Sequence, residues 1–243
     1  MEEKRLEQIK DELDKFIFSF ELWNLLENNI IEVSNYKCKS NNDFTIGIGK
    51  WLNFLCTVST LKDFLASCGS LTKQKMRKYF YKDNGWLNFS IDLRNCALHD
   101  FAIPKNYSSN DGLYYITFDE LFKSQRRQLN KFNDKKNDVE KRIKRIKLFK
   151  DYLNVDYVTT QMVVYYVHLE LRDLMTEVTN EMYARWDKEL IIELLENSSI
   201  DKVYNEAIYI VYWVANSMGL NKPLRDEIIN LYIQYDLIDI KQC

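Results

Sequence analysis

The chain has 243 residues, a formal net charge of −2, and only six glycines and two prolines, a shortage of helix breakers that favours an all-α fold. Its five cysteines form no CxxC pair and its two histidines are too few for a usual zinc site, so we expect no metal and no other cofactor. No apolar run approaches the roughly 20 residues of a membrane span, and the charged N-terminus is unlike a signal peptide, so we expect a cytoplasmic protein without membrane contact.

Apolar residues that recur at helical spacing predict a series of helices separated by polar loops. They cover residue 3 to the mid-30s, 46–67, 71–80, 86 to the Ile103-Pro104 step, 119–150 and 156–185, followed by shorter helices further on. The polar part 130–137 is either a break or a solvent-exposed section, and 113–118 is the one convincing strand or hairpin. We therefore predict an antiparallel helical bundle over 1–185, including a long basic helix, and an acidic helical extension over 186–243 packed on the same body.

Charge is distributed unevenly along the second half of the chain. Twelve Lys and Arg stand against three acids between residues 123 and 150, and seven against sixteen between 151 and 243. Such a basic segment is usually a solvated helix face, but it can also follow an RNA backbone, or dock an acidic part of its own or a neighbouring chain. The candidate RNA-binding side chains are Arg126, Arg127, Arg142, Lys144, Arg145 and Lys147.

The stretch from Ser90 to Asp100 concentrates the residues with chemical potential. A helix turns by about 100° per residue, so Asp92, Asn95 and His99 share one stripe of the predicted helix. Arg94 lies about 140° from His99 on the same wheel, among apolar neighbours. An arginine in such a place either reaches round on its long stem toward the histidine, or meets a carboxylate or phosphate.

Arg94-Asn95-Cys96-Ala97-Leu98-His99 resembles the motif of the HEPN superfamily, whose ribonuclease members carry an arginine, a polar residue, a short spacer and a histidine. The Arg-x4-His spacing and the polar Asn95 both match, and HEPN domains are small antiparallel helical bundles. The resemblance covers one helix strictly and residues 1 to about 180 loosely. It implies a metal-independent endoribonuclease, usually a homodimer with two facing motifs, often a toxin or anti-phage defence effector.

The chemistry gives its own reason for a dimer. Cleavage of RNA by its 2′-OH needs a base that accepts the hydroxyl proton and an acid that protonates the leaving 5′-oxygen. His99 supplies one group that titrates near neutrality, and a symmetric dimer supplies two. We expect Arg94 to hold the phosphate and Asn95 to orient the imidazole or bond the phosphate, while Asp92 is a candidate for fixing the imidazole tautomer. The expected partners are RNA, a second copy and a cognate antitoxin or regulatory protein.

Two other interpretations fit the same residues. A non-catalytic HEPN-like module would bind RNA, a nucleotide or a partner protein, with Arg94 kept for anion binding. A purely structural helical protein would use Arg94 and His99 in internal bonds. The second histidine, His168, lies among apolar residues and is interpreted as a core or interface side chain.

Overall fold

A computed structural model describes residues 2–35, 41–68, 70–100, 102–106, 114–131 and 136–185. Within these ranges the chain forms α1 (Glu2–Asn35), α2 (Asn41–Ser67), α3 (Ser70–Phe80), α4 (Trp86–Asp100), β1 (Lys105–Asn106), β2 (Tyr114–Thr117), α5 (Phe118–Lys131), α6 (Lys136–Leu153), β3 (Tyr157–Thr159) and α7 (Thr160–Arg185). The predicted all-α fold class is confirmed. The predicted acidic extension over 186–243 lies outside the described residues.

The basic segment of the chain is two helices rather than one. Helices α5 and α6 are packed against each other, so the polar part that was expected to break or expose the long helix divides it. The strand expected over 113–118 is confirmed as β2, which lies between β1 and β3 in a small antiparallel sheet with Thr117 opposite Tyr157. β3 was not predicted, and α7 accordingly begins at Thr160 instead of residue 156.

Helix α4 is the centre of the bundle, because α2, α3, α5, α6 and α7 all pack against it. A helix surrounded in this way needs apolar or internally bonded residues on most of its circumference. The first two turns of α4 are accordingly buried. Helix α2 contributes the largest apolar stripe to the same core, with the periodic residues Trp51, Phe54, Leu55, Val58, Leu61 and Leu65.

The N-terminus of α4 is fixed by aromatic packing and by a carboxylate. The Phe149 ring of α6 stacks on Phe89 at 4.2 Å between centroids and meets Trp86 edge-on at 4.9 Å. Glu170 of α7 accepts a hydrogen bond from the Leu87 backbone amide at 2.9 Å, which satisfies one of the free amides at a helix start. Gly85 precedes this turn, where an added Cβ would lie 3.2 Å from the Lys82 carbonyl oxygen.

Candidate active site on helix α4

The last turn of α4 leaves the core and carries His99 into solvent. The stripe that the sequence predicted becomes more exposed along its length: Asp92 is 1% exposed, Asn95 is half-buried and His99 is exposed. The Ala102 backbone amide donates to the Cys96 carbonyl oxygen at 3.3 Å and closes this end of the helix. The His99 side chain is therefore accessible from solvent.

Arg94 is half-buried and lacks an internal acceptor for its innermost nitrogen. Its Nε is buried and makes no hydrogen bond, and Arg94 forms no hydrogen bond or ion pair within the described ranges. A buried donor left without an acceptor costs about 1–3 kcal/mol. The internal carboxylate that the structural interpretation required for Arg94 is not present among these residues, and because Nε is closed to solvent, an external anion can reach only the outer nitrogens of the guanidinium.

Asp92 is bound by helix α6. Arg145 donates two hydrogen bonds to its carboxylate, from Nη2 to Oδ1 at 2.6 Å and from Nε to Oδ2 at 3.1 Å. Arg142 Nε lies 3.6 Å from the same Oδ1. Both carboxylate oxygens are thus occupied, and in the described part of the chain Asp92 makes no hydrogen bond or ion pair with His99. Its predicted role toward the imidazole has no contact to support it.

The polar network continues into helix α5. Arg142 Nη1 donates to Gln128 Oε1 at 3.0 Å and to Gln125 Oε1 at 3.3 Å, and the Gln125 amide donates to Cys96 Sγ at 2.9 Å. Three helices are therefore joined by one chain of charge-assisted and neutral hydrogen bonds. The two glutamines were not among the predicted site residues. Their signal is that they lie on the face of α5 that also buries Leu121 and Phe118.

Burial has the largest effect on the pKa values of Asp92 and Cys96 in this network. It raises the pKa of the Asp92 carboxyl, while the hydrogen bonds and charge of Arg145 oppose that rise. Burial also raises the pKa of the Cys96 thiol to about 12, so the thiol is protonated at neutral pH and is not a nucleophile. The chemistry of α4 therefore rests on Arg94, Asn95 and His99 rather than on these buried groups.

The six cations predicted to bind RNA fall into two groups. Arg142 and Arg145 are bonded internally, as described above. The other four are exposed, two on α5 and two on α6: Arg126, Arg127, Lys144 and Lys147. Only the exposed group is free to contact a polyanion without breaking an internal bond.

The exposed histidine and the end of α5 lie at the same level of the bundle. Phe89 lies against Phe118, and Cys96 accepts a bond from Gln125, so α4 and α5 run parallel with a constant offset. One turn further along, His99 is level with Gln128 and its neighbour Arg127. Helix α6 runs in the opposite direction, because Arg142 meets Gln128 whereas Phe149 meets Phe89.

The chemical repertoire of this end of α4 consists of an accessible imidazole, a half-buried amide and a guanidinium without an internal acceptor. No group of three or more His, Cys, Asp or Glu side chains in the described ranges could hold a metal ion. None of the helices described is both long enough and apolar enough for a bilayer crossing. Compared with family models, with curated proteins and with solved structures, the chain has no match.

Proposed function

We propose that this protein is a metal-independent endoribonuclease of the HEPN type, acting as a toxin or anti-phage effector in the cytoplasm. The observation that carries the proposal is the state of Arg94, whose Nε is buried without an acceptor on the helix that exposes His99. Keeping such a donor costs about 1–3 kcal/mol, and the outer nitrogens of the same guanidinium, which have no internal acceptor in the described ranges, would bind an external phosphate.

In the proposed reaction, His99 accepts the proton of a ribose 2′-OH while the 2′-oxygen attacks the adjacent phosphorus. The bond from phosphorus to the 5′-oxygen breaks, and that oxygen takes a proton from the His99 of a second copy. The products are a 2′,3′-cyclic phosphate and a 5′-hydroxyl. Arg94 stabilises the negative charge on the phosphate oxygens in the transition state, and Asn95, one turn before His99, orients the imidazole or bonds the phosphate.

A non-catalytic module that binds RNA, a nucleotide or a partner protein is the second candidate. It is favoured by the angle between the two side chains, because Arg94 and His99 leave α4 about 140° apart. In that arrangement Arg94 binds an anion without help from the histidine.

Cleavage of total RNA in EDTA separates the two candidates. We expect wild-type protein to leave cyclic-phosphate ends, and His99→Ala and Arg94→Ala each to lower the rate by about 100-fold or more. The matched controls are His168→Ala, which removes a half-buried histidine of α7, and Arg172→Ala, which removes an exposed arginine of the same helix. Both controls should cleave like wild type. RNA binding without cleavage by the wild-type protein identifies the second candidate, and wild-type protein that neither binds nor cleaves RNA contradicts both.

Titration with an inactive variant tests the shared site. If each dimer has one site that needs both histidines, adding His99→Ala protein to a fixed amount of wild type should lower cleavage as mixed dimers form. Arg172→Ala protein, added in the same amount, should not lower it. Undiminished cleavage in the presence of excess His99→Ala protein contradicts a site made by two subunits.

A further inference from the structure

The outward side of the α5–α6 pair carries a compact group of free cations. We call it the basic face, and it consists of Lys123, Arg126, Arg127, Lys141, Lys144 and Lys147. All six side chains are exposed, and none makes a hydrogen bond or ion pair within the described ranges. Because α4 packs beneath both helices, the exposed sides of α5 and α6 point away from it together.

The cations of the two helices lie beside one another. The bonds from Arg142 to Gln125 and Gln128 fix the level at which the antiparallel helices meet. Arg126 and Arg127 are thus level with Lys141, and Lys123 is level with the next turn of α6. Packed helices are separated by about 8–10 Å, and three α6 lysines three residues apart span about 9 Å along the axis. A surface of this size meets several phosphates of one strand at once.

Helix α6 also carries an exposed aromatic ring near its C-terminal end, about 80° round the helix from Lys144. Tyr152 is 62% exposed and forms no ring contact among the described residues, and it follows Leu148 by one turn, which is itself 40% exposed. Two acids also lie on this side of α6, and Glu140 is paired with Lys136 at 4.0 Å whereas Asp151 is exposed. Free cations beside a free ring are the usual composition of surfaces that bind unpaired nucleotides, since every base can stack on the ring.

We infer that the basic face binds single-stranded RNA, with its cations on the phosphates and Tyr152 stacked on a base. The inference deepens the proposed ribonuclease function, because it names unpaired RNA as the substrate and places its path beside the end of α4. Arg142 and Arg145 have no part in this surface, since their guanidinium groups are bonded to Gln125, Gln128 and Asp92.

Binding is measured on the full chain with His99→Ala, so that the probe is not cut and a failure of cleavage is separate from a failure of binding. The probe is a labelled RNA of about 12 unpaired nucleotides, followed by fluorescence anisotropy between about 50 and 200 mM NaCl. Introducing the two substitutions Lys144→Ala and Lys147→Ala into this variant should weaken RNA binding about tenfold or more. It should also reduce the slope of log affinity against log salt by about 1.4.

The charge-matched control is Lys73→Ala with Arg172→Ala, which removes two exposed cations from α3 and α7. It should change the affinity by less than about twofold. Tyr152→Ala should weaken binding of the unpaired probe about fivefold or more and leave the binding of a duplex of the same length unchanged. Tyr165→Ala is its control, because Tyr165 is a 59% exposed tyrosine on α7.

Four results would overturn the inference. The first is no measurable RNA binding, and the second is an equal loss in the Lys73/Arg172 control. The third is tighter binding of the duplex than of the unpaired probe. The fourth is binding of a polyglutamate peptide in place of RNA, which would make the basic face a docking surface for an acidic protein.

Discussion

Arginine side chains on two sides of helix α4 differ in their hydrogen bonding. On the flank toward α6, Arg145 places two hydrogen bonds on Asp92, and Arg142 is shared among three acceptor side chains. On the other flank, the buried Nε of Arg94 has no acceptor within the ranges that the structure describes. An unpaired buried donor of this kind costs stability, whereas the bonds of Arg142 and Arg145 satisfy theirs. The first flank therefore joins α4 to α5 and α6 by internal bonds, whereas the second leaves Arg94 without an internal bond in the described ranges, as the proposed function expects.

Measurements of the unfolding free energy can test the contrast between the arginines bonded to Asp92 and Arg94. Truncating a residue of the bonded flank should lower the unfolding free energy strongly, because each truncation leaves a buried partner without its opposite charge. Truncating Arg94, or His99 at the exposed end of α4, should change the unfolding free energy little or raise it. The following substitutions are arranged from the largest expected change to the smallest.

Arg145→Ala should lower the unfolding free energy by about 3–5 kcal/mol, because it leaves the Asp92 carboxylate buried without its two hydrogen bonds. Urea denaturation followed by circular dichroism measures the loss. Asp92→Ala should cost a similar amount, and the double variant should cost clearly less than the sum. Lys144→Ala, at the neighbouring exposed position, is the control and should stay within about 0.5 kcal/mol of wild type. A loss below about 1 kcal/mol for Arg145→Ala would show that the bonded flank does not hold the bundle.

Arg94→Met should raise the unfolding free energy by about 1 kcal/mol, because it removes a buried donor without an acceptor and keeps an apolar stem. The same denaturation measures it. RNA cleavage should be lost in this variant, so stability and activity should change in opposite directions. A destabilisation as large as that of Arg145→Ala would mean that Arg94 is a structural residue, and the contrast between the flanks would then disappear.

Glu177 tests an ion pair at the edge of the fold instead of the centre. It accepts hydrogen bonds from Lys78 Nζ at 2.6 Å and from Tyr79 Oη at 2.7 Å. Burial acts to raise the pKa of Glu177, but the hydrogen bonds and nearby positive charges together have the larger effect. The pKa is therefore below its usual value. The carboxylate therefore stabilises the fold above its unfolded pKa of about 4.3, and this contribution is lost as the pH falls through the lower folded pKa.

Glu177→Gln should accordingly lower the unfolding free energy by about 1 kcal/mol near neutral pH. The deficit should be smaller at about pH 3 than near neutral pH, because wild type begins to lose the same contribution as the pH falls below the unfolded pKa of about 4.3. Denaturation at both pH values provides the comparison. An equal deficit at both would mean that the carboxylate charge is not what stabilises this edge.

His99→Ala should have the smallest effect on stability, within about 0.5 kcal/mol, because the side chain is exposed and forms no hydrogen bond or ion pair in the described residues. His168→Ala is the informative control. His168 is half-buried, with its ring 5.7 Å from that of Trp23, and its removal should cost about 1 kcal/mol. The reverse order would place His99 inside the fold rather than at a site.

The helices could be predicted because each buries one periodic stripe, and the positions of Arg94, Asn95 and His99 on α4 follow from the same periodicity. The pairing of Asp92 with Arg145 could not, because the two residues are 53 positions apart and a wheel gives the face of a helix but not its neighbour. Arg142 and Arg145 looked like Lys144 and Lys147 in sequence. They differ only in lying beside the buried stripe of Val139, Ile146 and Phe149.

Strand β3 was missed for a local reason. Its three residues lead directly into α7, and β-branched or aromatic residues next to a helix start are also compatible with the first turn of that helix. Their pairing with β2 is a contact between distant parts of the chain, set by the register of Thr117 with Tyr157. Short strands of this kind depend on tertiary contacts and leave little trace in the hydrophobic pattern.

The hydrogen bond from the Leu87 amide to Glu170, in the first turn of α4, bears on the position of His99 in the last turn of the same helix. Leu87 and His99 are separated by twelve residues of unbroken helix, or about 18 Å of axis. A tilt of only about 5° at the anchored base swings the imidazole sideways by about 1.5 Å, which is enough to spoil the alignment of a proton transfer. The bond from the Leu87 amide to Glu170 on α7 is therefore one of the contacts that fix the direction of α4, and with it the position of His99.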